Sequence, residues 1–186
     1  MIMPQKTTAA FIRIKQQPYC CVPACIQMVL RRQHLPLISQ QRLGQALGLV
    51  KPPAPQPSAG YGTRLQLARF EPNHILRRLG IPLHWTWHLV DQIKTPKQLE
   101  KIISASLPEK NLLVCFDWPT LFKPDNQQHW GHVCVLEKID LQHHTIRLVD
   151  PDPTAPFRRI VSSRDLFRAL QIHGRKNLAS IWELHK

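Results

Sequence analysis

Apolar residues recur at helical spacing over residues 24–32, where Ile26, Val29 and Leu30 share one face. Pro23 suits the first turn of that helix, because proline lacks an N–H that would go unpaired there. The helix is expected to run to about Gln33, and His34-Leu35-Pro36 breaks it. Upstream, residues 8–14 form a short β-prone run. Residues 39–47 predict a second helix, capped by Ser39, with Leu43, Ala46 and Leu47 at helical spacing and Gly48 at its C-terminal end. Residues 51–62 hold Pro52, Pro53, Pro55, Pro57, Gly60 and Gly62 and read as an extended loop. Thr63 is expected to cap a third helix to about Glu71, and residues 73–79 a fourth that ends at Gly80.

The pattern changes after Gly80. Residues 81–89 alternate in part, through Leu83, Trp85, Trp87 and Leu89, and predict a strand. Thr95-Pro96 opens a helix to Leu107 with Leu99, Ile102 and Ile103 as its stripe. Residues 112–116 are continuously apolar and read as a buried strand. Residues 118–130 read as a loop. Residues 132–139 and 145–149 predict two strands paired across a turn at Gln142-His143-His144, and Asp150-Pro151-Asp152-Pro153 ends the second. A strand over 157–161, a helix over 163–170 and a last strand over 178–184 complete the chain. Helices come first and strands later, so the expected class is α+β with a mostly antiparallel sheet.

A length of 186 residues favours one domain over residues 1–186, and 43% apolar content supports a packed core. No apolar run approaches the ~20 residues that span a bilayer. The first fifteen residues show no secretory pattern. Five cysteines, an odd number, then suggest reduced thiols and a cytoplasmic setting. The net charge of +13 and pI near 10.1 allow an anionic partner. The basic pairs are scattered, at Arg31-Arg32, Arg77-Arg78, Arg158-Arg159 and Arg175-Lys176, with no zinc, P-loop or RNA-binding pattern beside them. Nucleic acid is therefore disfavoured as a partner, and no cofactor or metal is expected.

The residues that carry chemistry surround the first helix. Cys21 would lie at its positive end, where unpaired N–H groups and the peptide dipoles favour a thiolate. Glutamine just upstream, Gln16 or Gln17, offers a side-chain N–H to an oxyanion beside the sulfur. His132 stands at the start of a strand after Gly131. Asp150 ends the paired strand eighteen residues later, so both side chains emerge at one end of a hairpin. Asp150 would accept the second histidine N–H and fix the tautomer. These are the parts of a thiol acyl-transfer site: nucleophile, general base, orienting carboxylate and oxyanion donor. Cys20 adjoins Cys21 and is a rival nucleophile, although the position of Pro23 favours Cys21. Cys25, Cys115 and Cys134 read as small buried hydrophobes. His129 reads as a loop residue, His143 and His144 as solvated turn residues, and Trp85 and Trp87 as neighbours on one strand face.

Cys21-Val22-Pro23-Ala24-Cys25, the Gly62-Thr63 segment, Gly131-His132-Val133 and Leu148-Val149-Asp150-Pro151 occur in the order found in C39-like peptidases, and the chain resembles that family over about residues 11–153. The resemblance implies a papain-like fold: an N-terminal helical lobe carrying the cysteine, packed on a mostly antiparallel sheet carrying His132 and Asp150. It implies a cysteine peptidase acting on a peptide or protein substrate, acidic if the basic surface steers it, through Cys21, His132, Asp150 and Gln16. Two positions depart from the family pattern. Val22 stands where glycine usually follows the cysteine. The oxyanion glutamine usually lies six residues before the cysteine, where this chain has Lys15; Gln16 lies five before and Gln17 four before. Those departures leave room for a papain-like binding module without activity, and the same residues would also serve an acyltransferase or an effector toxin.

Overall fold

The structure, a computed structural model, describes residues 10–55, 60–107, 109–123 and 128–186. Its centre is one six-stranded sheet in the order β1-β6-β2-β3-β4-β5, with every neighbouring pair antiparallel. The strands are β1 (His84–Leu89), β2 (Asn111–Asp117), β3 (Gly131–Asp140), β4 (Thr145–Val149), β5 (Arg158–Ser162) and β6 (Ser180–His185). The helices are α1 (Cys21–Arg32), α2 (Gln40–Ala46), α3 (Pro72–Arg78), α4 (Pro96–Ser106), α5 (Trp118–Phe122) and α6 (Ser163–His173).

The continuous apolar runs in β2 and β3 follow from a sheet covered on both faces. Successive side chains of a strand point to opposite faces. Leu113, Cys115, Val133 and Val135 therefore meet Ile26, Val29 and Leu30 of α1 and the helical lobe. Leu112, Val114, Phe116, Cys134 and Leu136 meet Leu99 and Ile103 of α4 and Leu166 and Leu170 of α6. Nine consecutive residues of α1, Val22 to Leu30, are buried, which fixes its axis against β3.

Four expectations are corrected. Residues 63–71 form no α-helix beyond the single 3-10 turn Ala68–Phe70. Arg64 takes that backbone elsewhere: its N–H bonds Leu47 O at 3.0 Å and its guanidinium donates to the carbonyls of Gly60, Gly62 and Thr63. Glu71, extended before Pro72 as a residue preceding proline prefers, caps α3 by accepting from the N–H groups of Asn73 and His74. The stretch 118–130 is not all loop. Asp117 caps the short helix α5, its carboxylate accepting from Thr120 N at 3.0 Å, with Pro119 in the first turn. Residues 10–14 make no strand, and residues 8–9 lie outside the described residues; Phe11 is buried and Arg13 donates to Ala155 O at 3.0 Å. The last strand starts at Ser180, because Leu178 is held at φ 61°.

A polar cluster ties the far end of the sheet to α4. Glu183 on β6 is buried and accepts from Lys110 Nζ at 2.5 Å, from His88 Nε2 at 2.8 Å and from Ser106 Oγ. Burial works against its charge, but these three donors outweigh it and hold the carboxyl down to about 2. A carboxyl depressed in the folded state stabilises the fold above its ordinary value of 4.5, and that contribution is lost as pH falls toward about 2. Glu183→Gln is expected to cost about 2 kcal/mol at pH 7. Melting temperature followed from pH 7 to 2 checks this, since the variant should lose less than the wild type below pH 4.5.

Candidate active site

Residues 17–20 turn sharply before α1. Tyr19 sits in the left-handed region at φ 64°, and Cys20 N bonds Gln17 O at 3.0 Å. This turn points Cys20 inward, where it has no solvent exposure and burial pushes its thiol up. Cys21 is partly exposed and lines a cleft of about 960 Å³. The N-cap residue, Cys20, makes no side-chain cap bond, and no acidic residue lies in the first turn of α1. The positive end of the helix is left to whatever occupies the cleft.

His132 faces the same cleft from the start of β3. Gly131 before it leaves room for the His173 ring: a Cβ there would lie 2.5 Å from His173 Cε1, so a larger residue would have to displace that ring. Asp150, at the end of β4 and without exposure, accepts from His132 Nε2 through Oδ1 at 2.8 Å. That leaves Nδ1 of the ring for Cys21. Burial opposes charge on His132, but Cys134, the Asp150 hydrogen bond and the contact with Cys21 outweigh it and hold the imidazole protonated well above its ordinary range. Burial likewise opposes ionisation of Asp150, and His132, the Asp152 N–H and Arg159 overcome it, so its carboxyl lies below the usual range. Both shifts favour the charged forms, an imidazolium beside a carboxylate.

Asp150 is held at four points. Oδ1 also accepts from Asp152 N at 2.9 Å, Oδ2 accepts from Arg159 Nε at 3.1 Å, and its own N–H bonds Phe157 O at 3.1 Å. The Arg159 guanidinium lies 4.0 Å over the Phe122 ring, which covers that side from water.

Gln16 lines the cleft, whereas Gln17 is exposed and does not. Gln16 N bonds Pro151 O at 2.9 Å, so the segment before α1 is joined directly to the segment after Asp150. Gln40, buried at the start of α2, brackets Gln16: its Oε1 accepts from Gln17 N at 2.7 Å and its Nε2 donates to Lys15 O at 2.9 Å. Gln16 Oε1 is buried without a partner among the described residues. Its amide N–H₂ is the group available to an oxyanion.

The structure thus brings Gln16, Cys21 and His132 to one cleft, with Asp150 buried behind His132 and bonded to it. Val22 is buried against the core and also lines that cleft. His129 is mostly exposed and bonds Asp117 Oδ2 at 3.1 Å. His143 is paired with Asp140 at 2.9 Å and His144 with Glu100 at 2.9 Å, both on the turn after β3. Cys25 donates to Val133 O at 3.3 Å inside the core. Three participants went unseen in the sequence. Gln40 and Arg159 act through backbone and carboxylate contacts that no local pattern announces. Cys134, expected to be only a core thiol, is fully buried, but its sulfur, a His132 ring nitrogen and an Asp150 oxygen all lie within 4.8 Å of one another.

The backbone arrangement matches a known one. A candidate C39-like peptidase from Bacillus anthracis, known from a crystal structure, superimposes with a TM-score of 0.56 at 12% sequence identity, covering 95% of this chain and 94% of that one. The chain has a C39-like, papain-like fold. No family model and no curated protein matches the sequence. In this C39-like fold the α1 end and the two strand ends meet at the cleft, which is why residues over a hundred positions apart in the chain share one site. Among the described residues no helix is long and apolar enough to cross a membrane.

Proposed function

We propose that the protein is a cysteine peptidase that hydrolyses a peptide or amide bond through Cys21, His132 and Asp150. The observation that carries this reading is the 2.8 Å bond between His132 Nε2 and Asp150 Oδ1, buried behind a cleft that the Cys21 thiol enters from a helix N-terminus. Cys21 sulfur, as thiolate beside the His132 imidazolium, attacks the substrate carbonyl. The tetrahedral oxyanion is met by the Cys21 backbone N–H and the Gln16 side-chain N–H₂. His132 Nδ1 gives its proton to the leaving amine, and an acyl-thioester remains. His132 then takes a proton from water, which attacks the thioester and frees the acid and the thiolate. Asp150 keeps Nε2 as the protonated outer nitrogen throughout.

A peptide is the substrate class that suits an open cleft of about 960 Å³ lined by Tyr19, Tyr61, Trp118 and Trp182. The +13 charge supports an acidic segment in that peptide. All five cysteines are free thiols, which supports a reducing, cytoplasmic setting. An amine or thiol in place of water would make the same acyl-thioester serve transfer rather than hydrolysis.

Iodoacetamide alkylation from pH 5 to 9, with mass-spectrometric site assignment, tests the reading. Cys21 is expected to label first, at pH below 7 where an ordinary thiol reacts slowly, and at least tenfold more slowly in His132→Ala. Labelling of Cys21 at the rate of an unassisted thiol, or preferential labelling of Cys20, would reject a peptidase. The binding-module reading, which Val22 in place of glycine favours, would then hold.

A further inference from the structure

Cys134 has no part in the mechanism above, and its position is unusual. It follows His132 by two residues on β3 and shares its face of the sheet, the face that packs on Phe116. The β3–β4 register pairs Val135 with Val149, so the next position brings Cys134 alongside Asp150. Cys134 Sγ, a His132 ring nitrogen and an Asp150 carboxylate oxygen all fall within 4.8 Å of one another, and all three residues are buried. Sulfur, imidazole nitrogen and carboxylate oxygen are the three donor types that bind zinc. This set was invisible to a search for Cys and His at finger spacing, because strand pairing and not chain proximity assembles it.

We propose that His132, Cys134 and Asp150 form an inhibitory site for a thiophilic divalent cation of the zinc class, with one coordination position open. The ion takes the place of the proton shared between His132 Nε2 and Asp150 Oδ1, while Arg159 and the Asp152 N–H continue to hold the carboxylate. Cys134 Sγ loses its proton and becomes the third ligand. Two protons therefore leave, one from sulfur and one from Nε2, and binding strengthens as pH rises. A neutral imidazole with metal on Nε2 carries its remaining proton on Nδ1. Neutral and bound to the metal, the ring is a far weaker acid than the imidazolium of the free site and does not give its Nδ1 proton to the leaving amine, so an occupied site is an inactive one. Only this last consequence rests on the role proposed for His132; the site itself does not.

Cobalt(II) chloride titrated into the full chain under anaerobic conditions tests the site without reference to turnover. The wild type is expected to develop a thiolate-to-cobalt charge-transfer absorption that saturates at one ion per chain and is reversed by zinc. The band should survive in Cys21→Ser and vanish in Cys134→Ala, with ion affinity falling at least tenfold. Cys134→Ser, of nearly unchanged volume, should behave as Cys134→Ala, which separates ligand loss from a packing defect; unaltered circular dichroism of both variants checks the fold. A band lost in Cys21→Ser but kept in Cys134→Ala would place the ion on the cleft thiol and overturn the proposal. Absence of any band in the wild type would overturn it as well. Inert Cys21 in the alkylation experiment together with an intact cobalt band would remove the peptidase reading and leave the metal site standing.

Discussion

His132→Ala lowers kcat/KM for a peptide substrate by at least a thousandfold, the largest single-residue effect expected after loss of Cys21 itself. A positioned general acid–base contributes about 10²–10⁴ on its own. In the proposed mechanism the same ring also takes the Cys21 proton, so both roles disappear together and removing one member costs nearly as much as removing the set. Asp150→Asn separates them. The neutral amide removes one of the contacts, next after Cys134, that hold the imidazole above its ordinary range. His132 therefore loses its proton at lower pH, and the alkaline limb of the kcat/KM profile moves to lower pH. A pH–rate profile that falls in amplitude without moving that limb would show that Asp150 acts on geometry alone.

Gln16→Ala is expected to reduce kcat by about 10²–10³, the usual cost of one oxyanion donor. Gln40→Ala should lower kcat about tenfold or more with KM little changed, although Gln40 touches no substrate. Its amide holds Lys15 O at 2.9 Å and Gln17 N at 2.7 Å, and those two bonds fix the backbone on either side of Gln16. The spacing of glutamine to cysteine is one residue shorter than the C39-like pattern, so the loop needs a specific anchor to present Gln16 at all. Two measurements check this. Peptide aldehydes form a hemithioacetal whose oxyanion sits in the same place, so their affinity should weaken in both variants. Alkylation of Cys21 by iodoacetamide needs no oxyanion donor and should stay at the wild-type rate. A parallel fall in alkylation would show that Gln40 supports the fold around α1 and not the donor.

The order of α1, β2, β3 and β4 was legible because their patterns are strong and local. Pro23 with Ile26, Val29 and Leu30 marks a buried helix, and the apolar run Leu112 to Phe116 marks a strand covered on both sides. The segments that escaped were those whose backbone bonds go to distant partners. Residues 63–71 have a helical composition, but Arg64 spends its N–H and guanidinium on Leu47, Gly60, Gly62 and Thr63. Residues 118–122 look like loop until Asp117 is seen as a cap. Helix propensity amounts to tenths of a kcal/mol per residue, and tertiary bonds of this kind outweigh it.

By itself the sequence determined which chemical groups are available: a thiol before a helix, a histidine and an aspartate at the same end of a hairpin, and a glutamine upstream. Spacing along the chain is enough for that, because each group lies at the boundary of a locally specified element. Only the tertiary structure decided which of Cys20 and Cys21 faces the cleft, which of Gln16 and Gln17 lines it, and what holds each group in place. It also put Cys134 beside His132 and Asp150, Gln40 around Gln16 and Arg159 on Asp150. Those contacts depend on strand register and on the packing of α2 and β5, in which residues far apart in the chain meet through cooperative burial of a shared core.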